Sequence, residues 1–264
     1  MEILGYLLSV VMGFTLGLLG GGGSILTVPI LVYVLGIDPV LATAYSLFVV
    51  GSTSVAGGWQ KHREGLVRWK TGLVFAVPSL IAVFLTRYYL VPAIPAKVAT
   101  LGAFVFTKEI AIMVFFGIVM LLASFSMIKG RKEKKDTKEK GLNFPLIIVE
   151  GLVVGVITGL VGAGGGFLIV PALVLLVGLP MKQAVGTSLV IIAIKSLIGF
   201  LGDVGSGQAI DWAFLGTFTV FSLVGMFLGI YATRFVAADK LKKGFGWFVL
   251  IMGIFIILTE TIFN

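Results

Sequence analysis

Two glycine-rich runs, each flanked by apolar segments, contain the residues best suited to binding a small ligand. The first run covers residues 19–24 (LGGGGS) and the second covers residues 161–166 (VGAGGG). Each flank is short for a full membrane crossing, which needs about 20 residues. Peptide groups at such a break are tolerated in a membrane only where the backbone is buried in protein or lines a water-filled cavity. We therefore expect two hairpins of short helices whose tips lie inside the protein.

The glycines at these tips favour the binding of an anion. The second short helix of each hairpin should begin near Ser24 and near Phe167, and a helix N-terminus with bare glycine amides attracts negative charge. Close packing of helices at small residues is the alternative explanation. Paired broken helices in the two halves of a chain point to a transporter's binding site, which favours the first interpretation. The predicted substrate-binding residues at the tips are Gly21, Gly22, Gly23, Ser24, Gly164, Gly165 and Gly166.

A lysine and several hydroxyl residues lie within apolar segments near the two runs. Lys195 stands in the middle of such a segment, where an ammonium group usually faces a cavity or a partner. Ser188 lies two helical turns before it, Ser46 occupies the matching position in the first half, and Ser52 and Thr53 follow Ser46. We predict that all five contribute to the substrate site. The alternatives are a snorkelling or structurally paired lysine, and hydroxyls that bond to their own backbone.

The two runs belong to an internal duplication that covers most of the chain. The match extends beyond the glycines, and a repeat in register is a strong signal of two equivalent units. We expect an N-terminal repeat at residues 1–128, a basic linker at residues 129–144 and a C-terminal repeat at residues 145–264. The aligned residues of the first half are Gly13, Gly17, Gly20, Gly22, Gly23, Pro29, Gly36, Ala42, Ser46 and Leu47. Their counterparts are Gly155, Gly159, Gly162, Gly164, Gly165, Pro171, Gly178, Ala184, Ser188 and Leu189.

The composition is that of a polytopic membrane protein. Of 264 residues, 58% are hydrophobic and only 12% are charged, whereas soluble domains have about 25% charged residues. The chain has no cysteine and one histidine, so we expect no metal site, no cofactor and no enzymatic activity. The net charge of +8 lies mostly in short loops and does not indicate a nucleic-acid partner. Glu109 and Glu150 are expected to be structural, since helix dipoles favour acidic groups near helix N-termini.

The positions of the basic residues predict how the halves are oriented. If each hairpin is counted as two half-helices, most Lys and Arg residues fall on the side of the linker, as the positive-inside rule requires. Counting each hairpin as a single crossing divides them almost evenly. We therefore predict an all-α polytopic protein of two inverted repeats, each a glycine-tipped broken-helix hairpin followed by three transmembrane helices. The linker at residues 129–144 should be cytoplasmic and both termini external, in a multi-pass protein of the cell membrane.

The doubled glycine run, each copy followed by Pro29 or Pro171 and then by an Ala-x-x-x-Ser pattern, resembles the TauE/SafE family of sulfite exporters and sulfonate permeases. The likeness covers both halves and leaves out only the linker. It implies a multi-pass carrier of small sulfur oxyanions or organosulfur compounds. The sequence departs from a symmetric pattern at two places: Ser24 stands where the second copy has Gly166, and Lys195 has no charged counterpart in the first half.

Together these features predict a secondary transporter that moves a small anion by alternating access, with the anion held at the two glycine-rich tips. The residues indicate an anion, and only the resemblance indicates sulfur. A carrier or channel for another small anion, such as a carboxylate, is the alternative. The expected partners are the anionic substrate and the lipid bilayer. A coupling ion, either a proton or sodium, and a homodimer are left open.

Overall fold

The computed structural model describes residues 2–90, 93–95, 97–101, 104–129, 144–161, 166–205 and 210–262. The first half of the chain forms α1 (Glu2–Leu19), a 3-10 turn (Gly21–Gly23), α2 (Ser24–Pro29), α3 (Pro39–Arg63), α4 (Trp69–Leu85), strands β1 (Lys97–Leu101) and β2 (Phe104–Thr107), and α5 (Lys108–Lys129).

The second half repeats this order of helices. It forms α6 (Phe144–Val161), α7 (Gly166–Pro171), α8 (Met181–Gly205), α9 (Trp212–Ala232) and α10 (Ala238–Ile262). Helices α2 and α7 have the same length, as do α3 and α8. Within the described residues each half therefore has five α-helices, the first two of which form the predicted hairpin.

Four helices of the described residues are long and apolar enough to cross a membrane: Leu41–Arg63, Met181–Leu201, Trp212–Ala232 and Asp239–Thr259. Shorter apolar helices include those on both sides of the first glycine run. The predicted class, a helical multi-pass membrane protein, is confirmed. Helix α3 continues through Arg63, so Lys61, His62 and Arg63 lie in its last turn.

The second arm of each hairpin contains a proline and then changes its helical repeat. Pro29 ends α2 and Pro171 ends α7, and each is followed by one turn of π-helix, at Ile30–Val34 and Ala172–Leu176. Proline removes a backbone donor and its ring pushes away the carbonyl group one turn back, so the hydrogen-bonding register shifts there. Gly36 (φ 68°) follows the first of these arms and Gly178 (φ 80°) the second, a conformation that suits glycine at a helix C-terminus.

A short antiparallel β-hairpin interrupts the otherwise helical chain between α4 and α5. Strand β1 pairs with β2, with Thr100 opposite Val105 and Leu101 opposite Phe104. The β-branched and aromatic residues of this segment have the strand preference that the structure reveals, but the segment is too short for a clear alternating pattern.

The first helix of each half packs against the fourth helix of the other half. Helix α1 contacts α9, and α6 contacts α4. A Cβ added to Gly13 of α1 would lie 1.9 Å from the carbonyl oxygen of Ser222 in α9, and one added to Gly155 of α6 would lie 2.6 Å from that of Ser79 in α4. These matched glycines therefore serve close backbone contact between helices. The pair of α1 with α9 and the pair of α6 with α4 are therefore equivalent contacts between the two halves.

Equivalent helices of the two halves run antiparallel where they meet. In the contact of α3 with α8, Gly51 lies near Leu197 and Leu47 lies near Gly199. Residue numbers therefore increase in opposite directions along the two helices. The contact of α5 with α10 follows the same rule, with Gly117 near Ile257. In contrast, α1 and α9 run parallel. The buried core lies around α3 and α8, and large apolar side chains cover much of the outer surface, as expected for contact with lipid.

Candidate functional site

The two hairpin tips touch in the interior of the protein. A Cβ added to Gly21 would lie 1.7 Å from the carbonyl oxygen of Gly166, and one added to Gly166 would lie 2.9 Å from Oγ of Ser24. All three residues are buried. The backbones of the first 3-10 turn and of α7 therefore meet at a distance that only glycine allows, and three residues predicted for the site lie together.

The first tip turns at Gly20, whose φ of 71° and ψ of −129° are accessible to glycine and disfavoured for residues with a side chain. Helix α2 begins at Ser24, as predicted, and the 3-10 turn Gly21–Gly23 directly precedes it. The Ser24 N–H donates to the carbonyl oxygens of Gly21 and Gly22, and its Oγ donates to that of Gly21 at 2.6 Å. The amides that precede Ser24 are therefore the ones best placed to meet a ligand.

The remaining tip glycines lie close to these contacts or outside the described residues. Gly22 faces the ring of Phe245 in α10, since an added Cβ would lie 2.9 Å from its Cε2 atom. Gly23 packs against the backbone of Leu16 within its own hairpin. Gly164 and Gly165 fall in residues 162–165, outside the described ranges.

One face of α8 contacts both tips. A Cβ on Gly20 would lie 2.7 Å from Oγ of Ser188, and one on Gly166 would lie 2.9 Å from Cδ1 of Ile192. Ile192 is near the middle of α8, so the tips meet about halfway along this helix. The Ser188 hydroxyl donates to the carbonyl oxygen of Val185 at 2.8 Å, which is the ordinary role of serine in an apolar helix. Its oxygen remains at the tip, and rotation of the hydroxyl would aim it at a ligand.

Lys195 lies on this same face of α8. It follows Ser188 by seven residues and Ile192 by three, a spacing that aligns side chains along a helix. Its side chain is buried, and Nζ donates to Oγ1 of Thr158 at 3.1 Å. Thr158 is one turn before Val161, where α6 ends and the second glycine run begins. The ammonium group is thus held beside the helix that leads into the second tip. Thr158 was not among the predicted site residues, although a hydroxyl one turn before a glycine run is a usable signal.

Thr53 occupies the position of the first half that matches Lys195. It is fully buried, and its hydroxyl donates to the carbonyl oxygen of Val49 and lies 3.3 Å from Oγ of Ser222 in α9. Its surroundings are therefore polar but uncharged, which makes the two halves of the site chemically different.

The two other hydroxyl residues of α3 that were predicted for the site lie on different faces. Ser46 is buried at the position that matches Ser188. Ser52 is half-buried, and helical spacing places it on the face that exposes Val55 and Trp59. The structure therefore places Ser46 inward and Ser52 toward the periphery.

Side-chain hydrogen bonds join both ends of α3 to the ends of α9. At its C-terminal end, Nζ of Lys61 lies 2.8 Å from Oε2 of Glu64 and 3.0 Å from Oγ1 of Thr233, which follows α9, and Arg234 approaches the same carboxylate at 3.7 Å. Near the other end, the hydroxyl of Tyr45 accepts a hydrogen bond from the backbone N–H of Asp211, which precedes α9. Helices α3 and α9 are therefore parallel.

A helical protein with buried, broken hairpins that meet midway along its spanning helices has the architecture of a multi-pass membrane transporter. The family model described as "Sulfite exporter TauE/SafE" matches residues 6–256. The chain belongs to this family, which comprises membrane transporters and not enzymes.

Curated relatives match either most of the chain or somewhat less than half of it. A "Probable membrane transporter protein" of Xylella fastidiosa strain 9a5c is 30% identical over 93% of this chain and 90% of its own length. A protein of the same name from Haemophilus influenzae is 26% identical over 92% of both chains. An archaeal protein of that type from Methanocaldococcus jannaschii is 37% identical over 43% of this chain and 45% of its own. No solved structure matches the chain.

Proposed function

We propose that this protein is a secondary transporter that moves a small sulfur-containing anion, such as sulfite or a sulfonate, across the cell membrane by alternating access. The observation that carries the proposal is the contact between Gly21 and Gly166 beside the face of α8 that bears Ser188 and Lys195. Membership of the sulfite exporter family supports the choice of a sulfur-containing anion.

Each part of this site has a chemical role in binding an anion. Amides at the start of a helix offer hydrogen-bond donors and a partial positive charge. The Lys195 ammonium contributes a full charge, which offsets the hydration that the anion loses on entering the protein. The Ser188 hydroxyl can donate to an oxyanion after it leaves the carbonyl oxygen of Val185. The glycines keep the tips free of side chains, so the substrate can reach the backbone.

The arrangement of the halves suits alternating access. Equivalent helices run antiparallel in the contacts of α3 with α8 and of α5 with α10, as two inverted repeats would require. Transporters with inverted repeats expose a central site to one side at a time by moving one unit against the other. We assign the end of the molecule that holds Lys61 and Arg234 to the cytoplasm, together with the linker at residues 129–144, and both termini to the outside.

Binding of ligands to purified protein tests the substrate class directly. A ligand that binds only the folded state raises its stability, by about 2.7 kcal/mol at one hundred times its Kd. We expect thermal stabilisation by sulfite, thiosulfate or methanesulfonate, with weaker effects of sulfate and acetate, and less stabilisation of Lys195→Met than of wild type at the same anion concentration. Stabilisation by acetate alone would favour a carboxylate carrier, and no effect of any anion would contradict the proposal.

A further inference from the structure

A carboxylic acid that the proposed anion site does not use lies buried in α6, one of the shorter apolar helices. Glu150 of α6 is 5% exposed, and neither of its carboxylate oxygens has a hydrogen-bond partner among the described residues. The sequence predicts a structural role for Glu150 near a helix N-terminus. Helix α6 begins at Phe144, however, and its first turn contains no acidic residue, so the helix dipole does not explain why a glutamate stands here.

Glu150 is aligned with the site along one face of α6. Val154 and Thr158 follow it at intervals of four residues, and both are buried, so this face points inward along two turns. Thr158 is the residue that accepts a hydrogen bond from Lys195. With a rise of 1.5 Å per residue, Glu150 is about 12 Å from Thr158 along the helix axis.

The charged groups on neighbouring helices leave the Glu150 carboxylate without a close counter-ion in the described parts of the chain. The contact of α6 with α4 near Glu150 is formed by Gly151 against Phe75 and Pro78. Lys70 at the start of α4 and Lys129 at the end of α5 are both exposed. In the segment after α4, Tyr89 is exposed as well. No charged residue occurs in α7 or in the π-helical turn after it. Helix α8 carries Lys182 in its first turn, Lys195 in its middle and Asp203 in its last turn.

We propose that Glu150 is a proton-binding site that couples anion transport to the movement of protons. This inference rests on the transporter function proposed above. One proton adds to a carboxylate oxygen to give the neutral acid, and its departure restores the carboxylate. A buried carboxylate with no partner is costly to keep ionised, and a proton removes that cost. The group therefore has a physical reason to take up a proton whenever a path to water opens.

The distance between Glu150 and the Lys195 end of the site sets the strength of the coupling. Two charges about 12 Å apart, at an effective dielectric constant of about 20, interact by an energy that corresponds to about tenfold in affinity. An ionised Glu150 repels a bound anion by this amount, and a protonated one does not. Proton binding and anion binding therefore favour each other, which is the coupling that a proton–anion symporter needs.

Anion affinity measured from pH 5 to pH 9 tests the inference. We use thiosulfate or methanesulfonate, whose charges do not change in this range, because sulfite itself takes up a proton. We expect wild-type affinity to fall by about tenfold as pH rises, and that of Glu150→Gln, which mimics the neutral acid, to stay at the low-pH value. Asp239→Asn is the matched control, since Asp239 is an exposed carboxylate at the start of α10, and it should retain the wild-type pH dependence.

A flux measurement separates the proton from other coupling ions. In proteoliposomes that enclose a pH-sensitive dye, an inward anion gradient should acidify the lumen through wild-type protein, and Glu150→Gln should carry the anion with no such change. Anion binding that does not vary with pH, a pH dependence that survives Glu150→Gln, or transport that requires sodium would each overturn the inference. Failure of wild-type protein to bind any anion at any pH would instead contradict the proposed function.

Discussion

Nζ of Lys195 lies 3.1 Å from Oγ1 of Thr158, and this hydrogen bond joins the helix that contacts both tips to the helix that leads into the second tip. This contact fixes the position of the ammonium group at the end of a flexible side chain. The group is thereby held close to the helix that leads into the second tip, where a substrate anion would bind.

We expect Lys195→Met to weaken anion binding by at least about tenfold, or about 1.4 kcal/mol. Methionine has a similar length and volume but no charge, so it removes the electrostatic attraction while preserving much of the packing. Isothermal titration with the best anion of the panel measures the change. Lys195→Arg should partly restore affinity, because the charge returns with a different geometry.

The neighbouring hydroxyl should matter less than the lysine. Ser188→Ala removes one neutral hydrogen-bond donor, which contributes about 0.5–1.5 kcal/mol, so its effect on anion affinity should be smaller than that of Lys195→Met. Equal affinity of wild type and Lys195→Met for every anion would show that the lysine is structural.

Alanine substitutions should distinguish glycines that are closely packed at the tips from glycines with free space around them. In Gly21→Ala the new Cβ meets the backbone of Gly166, which cannot move without separating the tips, so we expect a loss above the 1–3 kcal/mol typical of overpacking. In Gly22→Ala it meets only the end of the Phe245 ring, which can rotate away, so a smaller loss is expected. The midpoints of thermal unfolding of the purified variants show which substitution costs more stability.

Gly216 in α9 supplies the control for these variants. No atom lies within 4 Å of a Cβ added there, and alanine is preferred over glycine in a helix by up to about 1 kcal/mol. Gly216→Ala should therefore leave stability unchanged or raise it. Similar stability of Gly21→Ala and Gly216→Ala would mean that the tips are not packed as the structure describes.

Lys61→Met should destabilise the protein by about 1–3 kcal/mol. The Lys61 side chain is buried, and it holds Glu64 and Thr233 together at the ends of α3 and α9. Without it, Glu64 keeps only the more distant and exposed Arg234. The midpoint of thermal unfolding should fall, while anion affinity measured well below that midpoint should stay close to wild type. An unchanged midpoint would show that this cluster contributes nothing to stability.

Single cysteines test the proposed orientation, since the chain contains none. Ala213 and Ala237 are exposed near opposite ends of α9, and replacing alanine by cysteine changes little in size. We expect an impermeant thiol reagent to label Ala213→Cys in intact cells and Ala237→Cys only after the membrane is opened. Labelling of both in intact cells would exclude the assignment.

Features of the fold that depend on residues close together in the chain could be predicted. Contacts between residues of distant helices could not. The duplicated glycines and Pro29 with Pro171 were sufficient to place both hairpins, because breaks and prolines act within one turn of the chain. The sequence also indicated Lys195, since a charge in an apolar helix is conspicuous. Its hydrogen bond to Thr158 could not be predicted from the sequence, because a single threonine in an apolar helix is common.

The roles of individual glycines were likewise beyond the reach of the sequence. Gly13 and Gly20 belong to the same repeat, yet the first packs against α9 and the second turns the chain beside Ser188. Both positions require the absence of a side chain, so both appear in the sequence simply as glycine. Only the three-dimensional arrangement separates a helix-packing glycine from one at the site.

The pairing of α1 with α9 has a consequence for how the protein is made. Gly13 reaches its partner Ser222 only after about two hundred further residues have been synthesised. Until then the glycine face of α1 has no native neighbour, and neither half can complete its own packing in the membrane. The nascent chain must therefore stay inserted but unassembled for most of translation, so truncation within α9 should leave the whole polypeptide a substrate for membrane quality control, even though the first repeat is intact.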